Sequence, residues 1–152
     1  MEFARRLRSS MEDFAGGDPT STLAIWHPGI RWYSVGQSPV AGKYVGQEAT
    51  LGYLAELGRL SRNTFRSAIL EVRPMFGNTY VARFRHRAAV DDARLDTLSS
   101  LIIDGEDDRV VSVVEVHHDE AAWDTFWTAA AASDAGRRDA TPLTRETTEA
   151  RS

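Results

Sequence analysis

The chain has 152 residues, 42% hydrophobic and 26% charged, with 18 lysines and arginines against 22 aspartates and glutamates and no cysteine. A domain of this size buries roughly two-thirds of its unfolded surface, and an ordinary globular composition excludes a disordered chain, a coiled coil and a collagen-like repeat. Without cysteine there are no disulfides, thiolate metal sites or cysteine nucleophiles. A net charge of −4 argues against a nucleic-acid partner, and no apolar run reaches the roughly 20 residues of a membrane span.

Residues Met1 to Arg8 lack the apolar core of a secretory signal, so a cytoplasmic protein with no membrane association is expected. Phe3, Leu7, Met11 and Phe14 follow helical spacing up to Gly16-Gly17, a natural helix stop. Asp18-Pro19 suits the start of a short second helix, with Leu23, Ala24 and Trp26 on its buried side and a turn at His27-Pro28-Gly29. Ile30 to Val35 reads as a strand, Gly36 to Pro39 as a loop and Tyr44-Val45 as a brief extended piece. Gly46-Gln47 opens a third helix carrying Leu51, Leu54 and Leu57, with Tyr53 and Leu60 nearby.

Beyond Arg62 the pattern becomes strand-like over Phe65–Arg73, Thr79–Ala89, Arg94–Ile103 and Val110–His117. The breaks fall at Pro74 to Asn78, at Asp91-Asp92 and from Asp104-Gly105 onward. Such short connections imply an antiparallel meander. A last helix starts near Asp119, a suitable N-cap, with Trp123, Phe126, Trp127 and Ala130 as its apolar side. Residues 133–152 hold one leucine and no valine, isoleucine or aromatic residue; this segment reads as a disordered polar tail behind a domain spanning 1–132. Helices ahead of a run of hairpins argue an α+β fold, with helices packed on one face of a curved antiparallel sheet.

Strand alternation sorts the candidate side chains. On Thr79–Ala89, Tyr80, Phe84 and His86 share the apolar face, while Arg83, Arg85 and Arg87 share the other. An imidazole on an apolar face is a candidate acid/base or, equally, a hydrogen-bonded core histidine. On Arg94–Ile103, Thr97 and Ser99 lie on one face with Leu95, Leu101 and Ile103. On Val110–His117 the alternation decides nothing. Adjacent His117 and His118 point to opposite faces of a strand, so no metal site is expected, and His118 reads as capping or exposed. No dinucleotide or phosphate-binding glycine motif is present.

Several pieces taken together resemble one known group. They are Gly17-Asp18, the run from Arg31 to Gly42, Gly46 at the third helix, Val113 to Asp119, and Ala122 to Trp127. The chain resembles the SnoaL-like branch of the nuclear-transport-factor-2-like (NTF2-like) superfamily over about residues 3–128. The resemblance implies a cone whose open end is an apolar pocket, and a homodimer paired through the outer sheet face. It also implies that Val113, Glu115 and His117 face the pocket, the alternative for Glu115 being an outward ion pair with a neighbouring arginine. Matched to ketosteroid isomerase, a relative in that superfamily, Tyr33, Ser99 and Ser10 stand where its catalytic groups would be. None of those groups is kept, so a steroid-isomerase mechanism is not expected.

The resulting expectation is a catalytic set of Tyr33, His86, Glu115 and His117. Trp26, Trp32, Tyr53, Phe65, Tyr80, Phe84, Thr97, Ser99, Val113 and Trp123 would form a substrate wall, with Phe76 adding aromatic surface. Such a set suits a cofactor-independent acid/base enzyme acting on a hydrophobic polyketide- or terpenoid-like molecule by cyclisation, isomerisation, dehydration or epoxide opening. The alternative is a non-catalytic small-molecule-binding or assembly domain of the same fold.

Overall fold

In the computed structural model, which describes residues 2–150 and side chains through residue 139, the chain runs in the order α1 (Glu2–Ala15), α2 (Thr20–Ile25), β1 (Trp26–Ser34), β2 (Gly42–Val45), α3 (Gln47–Leu60), β3 (Arg66–Phe76), β4 (Thr79–Val90), β5 (Ala93–Glu106), β6 (Arg109–His117) and α4 (Glu120–Ala150). The six strands form one open sheet in the order β2-β1-β6-β5-β4-β3. The hairpin series β3 to β6 is antiparallel, whereas β1 joins β6 in parallel, pairing Trp32 with Val113 and Ser34 with Glu115. The sheet is therefore mixed rather than wholly antiparallel. The helix α3 follows β1 and β2 and leads the chain into β3, and contacts β1 and β2.

Local chemistry sets the boundaries. Asp18 accepts the Thr20 amide at 3.0 Å ahead of α2, and Asp119 accepts the Ala122 amide at 3.0 Å at the start of α4. The two-residue turn between β5 and β6 places Asp107 and Asp108 at φ 51° and 59°, a left-handed conformation that aspartate tolerates better than most residues. Two strands outrun the sequence reading. The strand β1 starts at Trp26, so His27-Pro28-Gly29 is not a turn but lies within it, and the β1–β6 register skips between Trp26 and Arg31. The strand β3 continues through Pro74 to Phe76 because it is a sheet edge, where a missing N–H is tolerated.

One face of the sheet packs on the helices. Trp123, Trp127, Ile25, Ile30, Leu57 and Ile103 are its largest fully buried apolar side chains. On α3 the buried stripe is Thr50, Tyr53, Leu57 and Leu60, rotated from the leucine face expected from sequence. The expected disordered tail is also corrected at its start. The helix α4 runs on past Ala132; Ser133 donates to Asp91 at 2.6 Å, and Asp134 pairs with Arg59 at 2.9 Å and Arg138 at 3.2 Å. Polar anchors on neighbouring elements do for this stretch what apolar side chains do for the first half of the helix. Residues 151–152 of that tail lie outside the described residues, as do the side chains of residues 140–150.

Candidate functional site

The sheet and helices enclose a cavity of about 490 Å³, within the range of small-molecule sites. Helix α1 contributes Leu7, Ser10, Met11 and Phe14, and α3 contributes Leu54 and Leu57. The sheet supplies Trp26 and Trp32 from β1, Phe84 and His86 from β4, Leu101 and Ile103 from β5, and Val110, Val113 and Glu115 from β6; Phe65 and Ser67 complete the wall. The lining is mostly apolar, so its few polar groups stand out.

Glu115 is one of them. Its side chain is 4% exposed, yet its nearest neighbours are hydrogen-bond donors rather than cations. Tyr53 Oη donates to Glu115 Oε1 at 2.5 Å and Trp32 Nε1 donates to the same oxygen at 3.3 Å. Both bonds fall on Oε1. Burial raises the Glu115 carboxyl above its ordinary value, and the bonds from Tyr53, Trp32 and Ser34 pull it back only in part. The Tyr53 phenol is pushed well up by burial and by the Glu115 charge, so it stays protonated and acts as a donor.

Behind this pair a polar chain runs away from the cavity. Tyr53 Oη lies 3.1 Å from Ser34 Oγ, Ser34 Oγ lies 3.4 Å from His117 Nε2, and His117 Nδ1 lies 2.8 Å from Ser99 Oγ. The His117 ring stacks on Trp123 with centroids 3.8 Å apart. Burial lowers its pKa to about 4, the nearby Asp124 carboxylate opposing that shift, so it is neutral near pH 7. The Asp124 carboxylate also clamps the loop after β1, accepting the Gln37 and Ser38 amides at 3.0 and 3.1 Å. That approach requires glycine at 36, where φ is 133° and a Cβ would come 2.6 Å from Asp124 Oδ1.

His86 is the second polar group of the wall. It is 5% exposed and stacks between Phe65 and Phe84, with centroids at 5.1 and 5.9 Å. Its Nδ1 lies 2.8 Å from Ser67 Oγ, and its Nε2 has no partner among the described residues. Burial, and then repulsion from His117, lowers its pKa to about 3. It is therefore a neutral imidazole at neutral pH.

The structure brings together only part of the set expected from sequence. Glu115 and His86 line the cavity, as do Trp26, Trp32, Phe65, Phe84 and Val113. Tyr33 does not. It is 40% exposed on the outer sheet face with the Lys43 ammonium 5.8 Å from its ring, because Ile30, Trp32 and Ser34 take the inward parity of β1. The phenol at the site is that of Tyr53, from α3. His117 is buried one layer back, behind Ser34, and Ser99 holds it there. Tyr80 packs on Phe3 at 5.4 Å, Thr97 is the β5 neighbour of His86, and Trp123 is fully enclosed under His117; none of these three lines the cavity. Phe76 is 73% exposed at the β3–β4 hairpin. Sequence reasoning missed Ser34 and Ser67 and gave Tyr53 only a wall position. The signal for Tyr33 was present: Arg31 shares its parity, while Ile30 and Trp32 share the other.

No protein-family model matches the chain. A curated relative, the uncharacterized protein Rv0034 of Mycobacterium tuberculosis, is 22% identical over 121 residues, covering 80% of this chain and 92% of the relative. Among solved structures, Bal32a from a soil-derived mobile gene cassette superposes with a TM-score of 0.78 at 26% identity, covering 82% of this chain and 95% of that one. A proposed SnoaL-like polyketide cyclase from Jannaschia sp. CCS1 superposes with a TM-score of 0.65 at 14% identity, covering 84% and 92%. Proteins of Burkholderia species described as NTF2-like match at TM-scores of 0.67 to 0.70.

Proposed function

Starting from an NTF2-like fold of the kind that SnoaL-like proteins share, we propose that this chain is a cofactor-independent acid/base enzyme acting on an apolar small molecule held in the 490 Å³ cavity. The observation that carries this reading is a buried carboxyl on an apolar wall, held by neutral donors. Tyr53 and Trp32 donate to Glu115 Oε1, and Glu115 lines the cavity. A carboxyl raised by burial works closer to neutral pH than an exposed one. It can take a proton from a hydroxyl or an activated carbon and return it elsewhere on the same molecule. Cyclisation, isomerisation and dehydration all reduce to such a transfer, and intramolecular epoxide opening differs only in that the ring oxygen receives the proton.

His86 is not the acid in this scheme, since a pKa of about 3 leaves it uncharged near neutrality. His117 acts through Ser34 and Tyr53 as a positioning residue. The test is turnover of small molecules from a bacterial metabolite extract, followed by mass spectrometry with wild-type protein and with Glu115→Gln. The amide keeps the shape but cannot accept the proton. We expect product formation to fall by at least 100-fold, within the range general acid/base catalysis supplies. Turnover retained in the amide variant removes Glu115 from the chemistry. A molecule that binds both proteins and is altered by neither supports the non-catalytic binding domain instead. The enzyme is further proposed to pair with a second copy through the outer sheet face, where Tyr33, Val114, Ile102 and Val81 form one cross-strand row.

A further inference from the structure

One buried atom at the cavity wall is orphaned. His86 Nε2 is buried, belongs to a residue lining the cavity, and has no hydrogen-bond partner among the described residues. A buried polar atom in that state costs free energy unless something meets it. The other ring nitrogen shows which partner fits. Ser67 Oγ lies 2.8 Å from Nδ1, and that is the one bond of the Ser67 hydroxyl among the described residues. Ser67 O–H donating to Nδ1 leaves one unmet group in the pair, Nε2–H, whereas the reverse direction leaves two, the Ser67 proton and the Nε2 lone pair. The ring proton then sits on Nε2, as a donor.

We propose that the Ser67–His86 pair is the ligand-recognition group of the cavity, and that it selects neutral apolar molecules carrying an oxygen acceptor of the ketone or quinone type. The choice of a neutral ligand follows from the other polar groups. A carboxylate ligand would meet the Glu115 carboxyl, and the Arg66 guanidinium at the wall directs Nη1 to the Asn63 and Phe65 carbonyls at 2.8 Å. An amine would set its N–H against the N–H of His86. The stacked rings of Phe65 and Phe84 hold the imidazole plane, so the donor direction is fixed and only the ligand adapts.

This inference rests on the cavity being a ligand site, as proposed above, and its test separates the two. Quenching of intrinsic tryptophan fluorescence in the full chain is titrated with 2-acetylnaphthalene and with 2-isopropylnaphthalene, which has nearly the same shape but lacks the oxygen. The ketone is expected to bind about fivefold more tightly, the worth of one neutral hydrogen bond. His86→Phe is expected to erase the preference, and His86→Gln, which keeps an N–H, to restore part of it. Should the phenylalanine variant fail to fold, Ser67→Ala serves, because it frees Nδ1 and is expected to reduce the preference. Equal affinity of wild-type protein for both probes overturns the recognition role while leaving the cavity a ligand site. Binding of neither probe overturns both.

Discussion

Replacing Tyr53 by phenylalanine removes one oxygen and leaves the ring, so it isolates the bond on which the site depends. The ring stacks on Tyr44 at 4.6 Å and lies 6.2 Å from Trp32, and those contacts persist in the variant. What disappears is the 2.5 Å donation to Glu115 Oε1 and the 3.1 Å contact with Ser34. Losing a donor to a buried carboxyl costs about 1–3 kcal/mol, or a thermal midpoint lower by about 3–10 °C for a chain of this length. Because that donation favours the ionised form, the Glu115 carboxyl is expected to rise further, and the basic form needed for turnover to appear at higher pH. Urea unfolding at pH 7 reads the first effect; a pH–rate profile, once a substrate is in hand, reads the second. Tyr33→Phe is the control: on the exposed outer face it should change stability by less than about 0.5 kcal/mol. A neutral Tyr53→Phe beside a damaging Tyr33→Phe would refute the assignment of the phenol.

Acid should unfold the protein early. His86 and His117, with pKa values of about 3 and about 4, are held below the ordinary histidine value of about 6.5. The unfolded chain therefore takes up protons that the folded chain refuses. Their stabilisation is complete above about pH 6.5 and is lost as pH falls toward 4 and then 3, on the order of 3–5 kcal/mol for each ring. Glu115, raised by burial, works in the opposite sense and offsets part of the loss. Urea midpoints from pH 7 to 4.5 should fall steeply; a flat profile would mean that these rings are not buried and neutral. Sedimentation at micromolar concentration should report a dimer that Val114→Arg on the outer face dissociates, and a wild-type monomer would contradict the pairing proposed for that face.

The residues that revealed themselves in sequence did so through alternation. On β4 three arginines against Tyr80, Ala82, Phe84 and His86 leave one choice of face, and the structure has the arginines outside, paired with Glu71 and Asp96. The apolar side of α4, Trp123, Phe126, Trp127 and Ala130, is buried as helical spacing implied. Where local pattern was silent, tertiary context decided. Val110 to Val116 is apolar on both faces, and only the pairing of β6 with β1 and β5 turns Glu115 inward. The β1 error had another source: a motif match set Tyr33 against a catalytic position, although Arg31 at the same parity already pointed to solvent. Tyr53 was legible as a buried aromatic but not as the partner of Glu115, because a contact across 62 residues leaves no mark in local spacing. The start of the tail was misjudged because polar residues can dock through ion pairs, as Asp134 does with Arg59.

Acid/base chemistry in this cavity depends on the state of a single carboxyl, and carbon-13 NMR of selectively labelled glutamate, with Glu115→Gln to assign the signal, measures it directly. The Glu115 side-chain carbon is expected to titrate clearly above the ordinary glutamate value of about 4.3, and to move higher still in Tyr53→Phe. A midpoint at or below that ordinary value would mean that the group is solvated or ion-paired, and an acid/base site in this cavity would be contradicted.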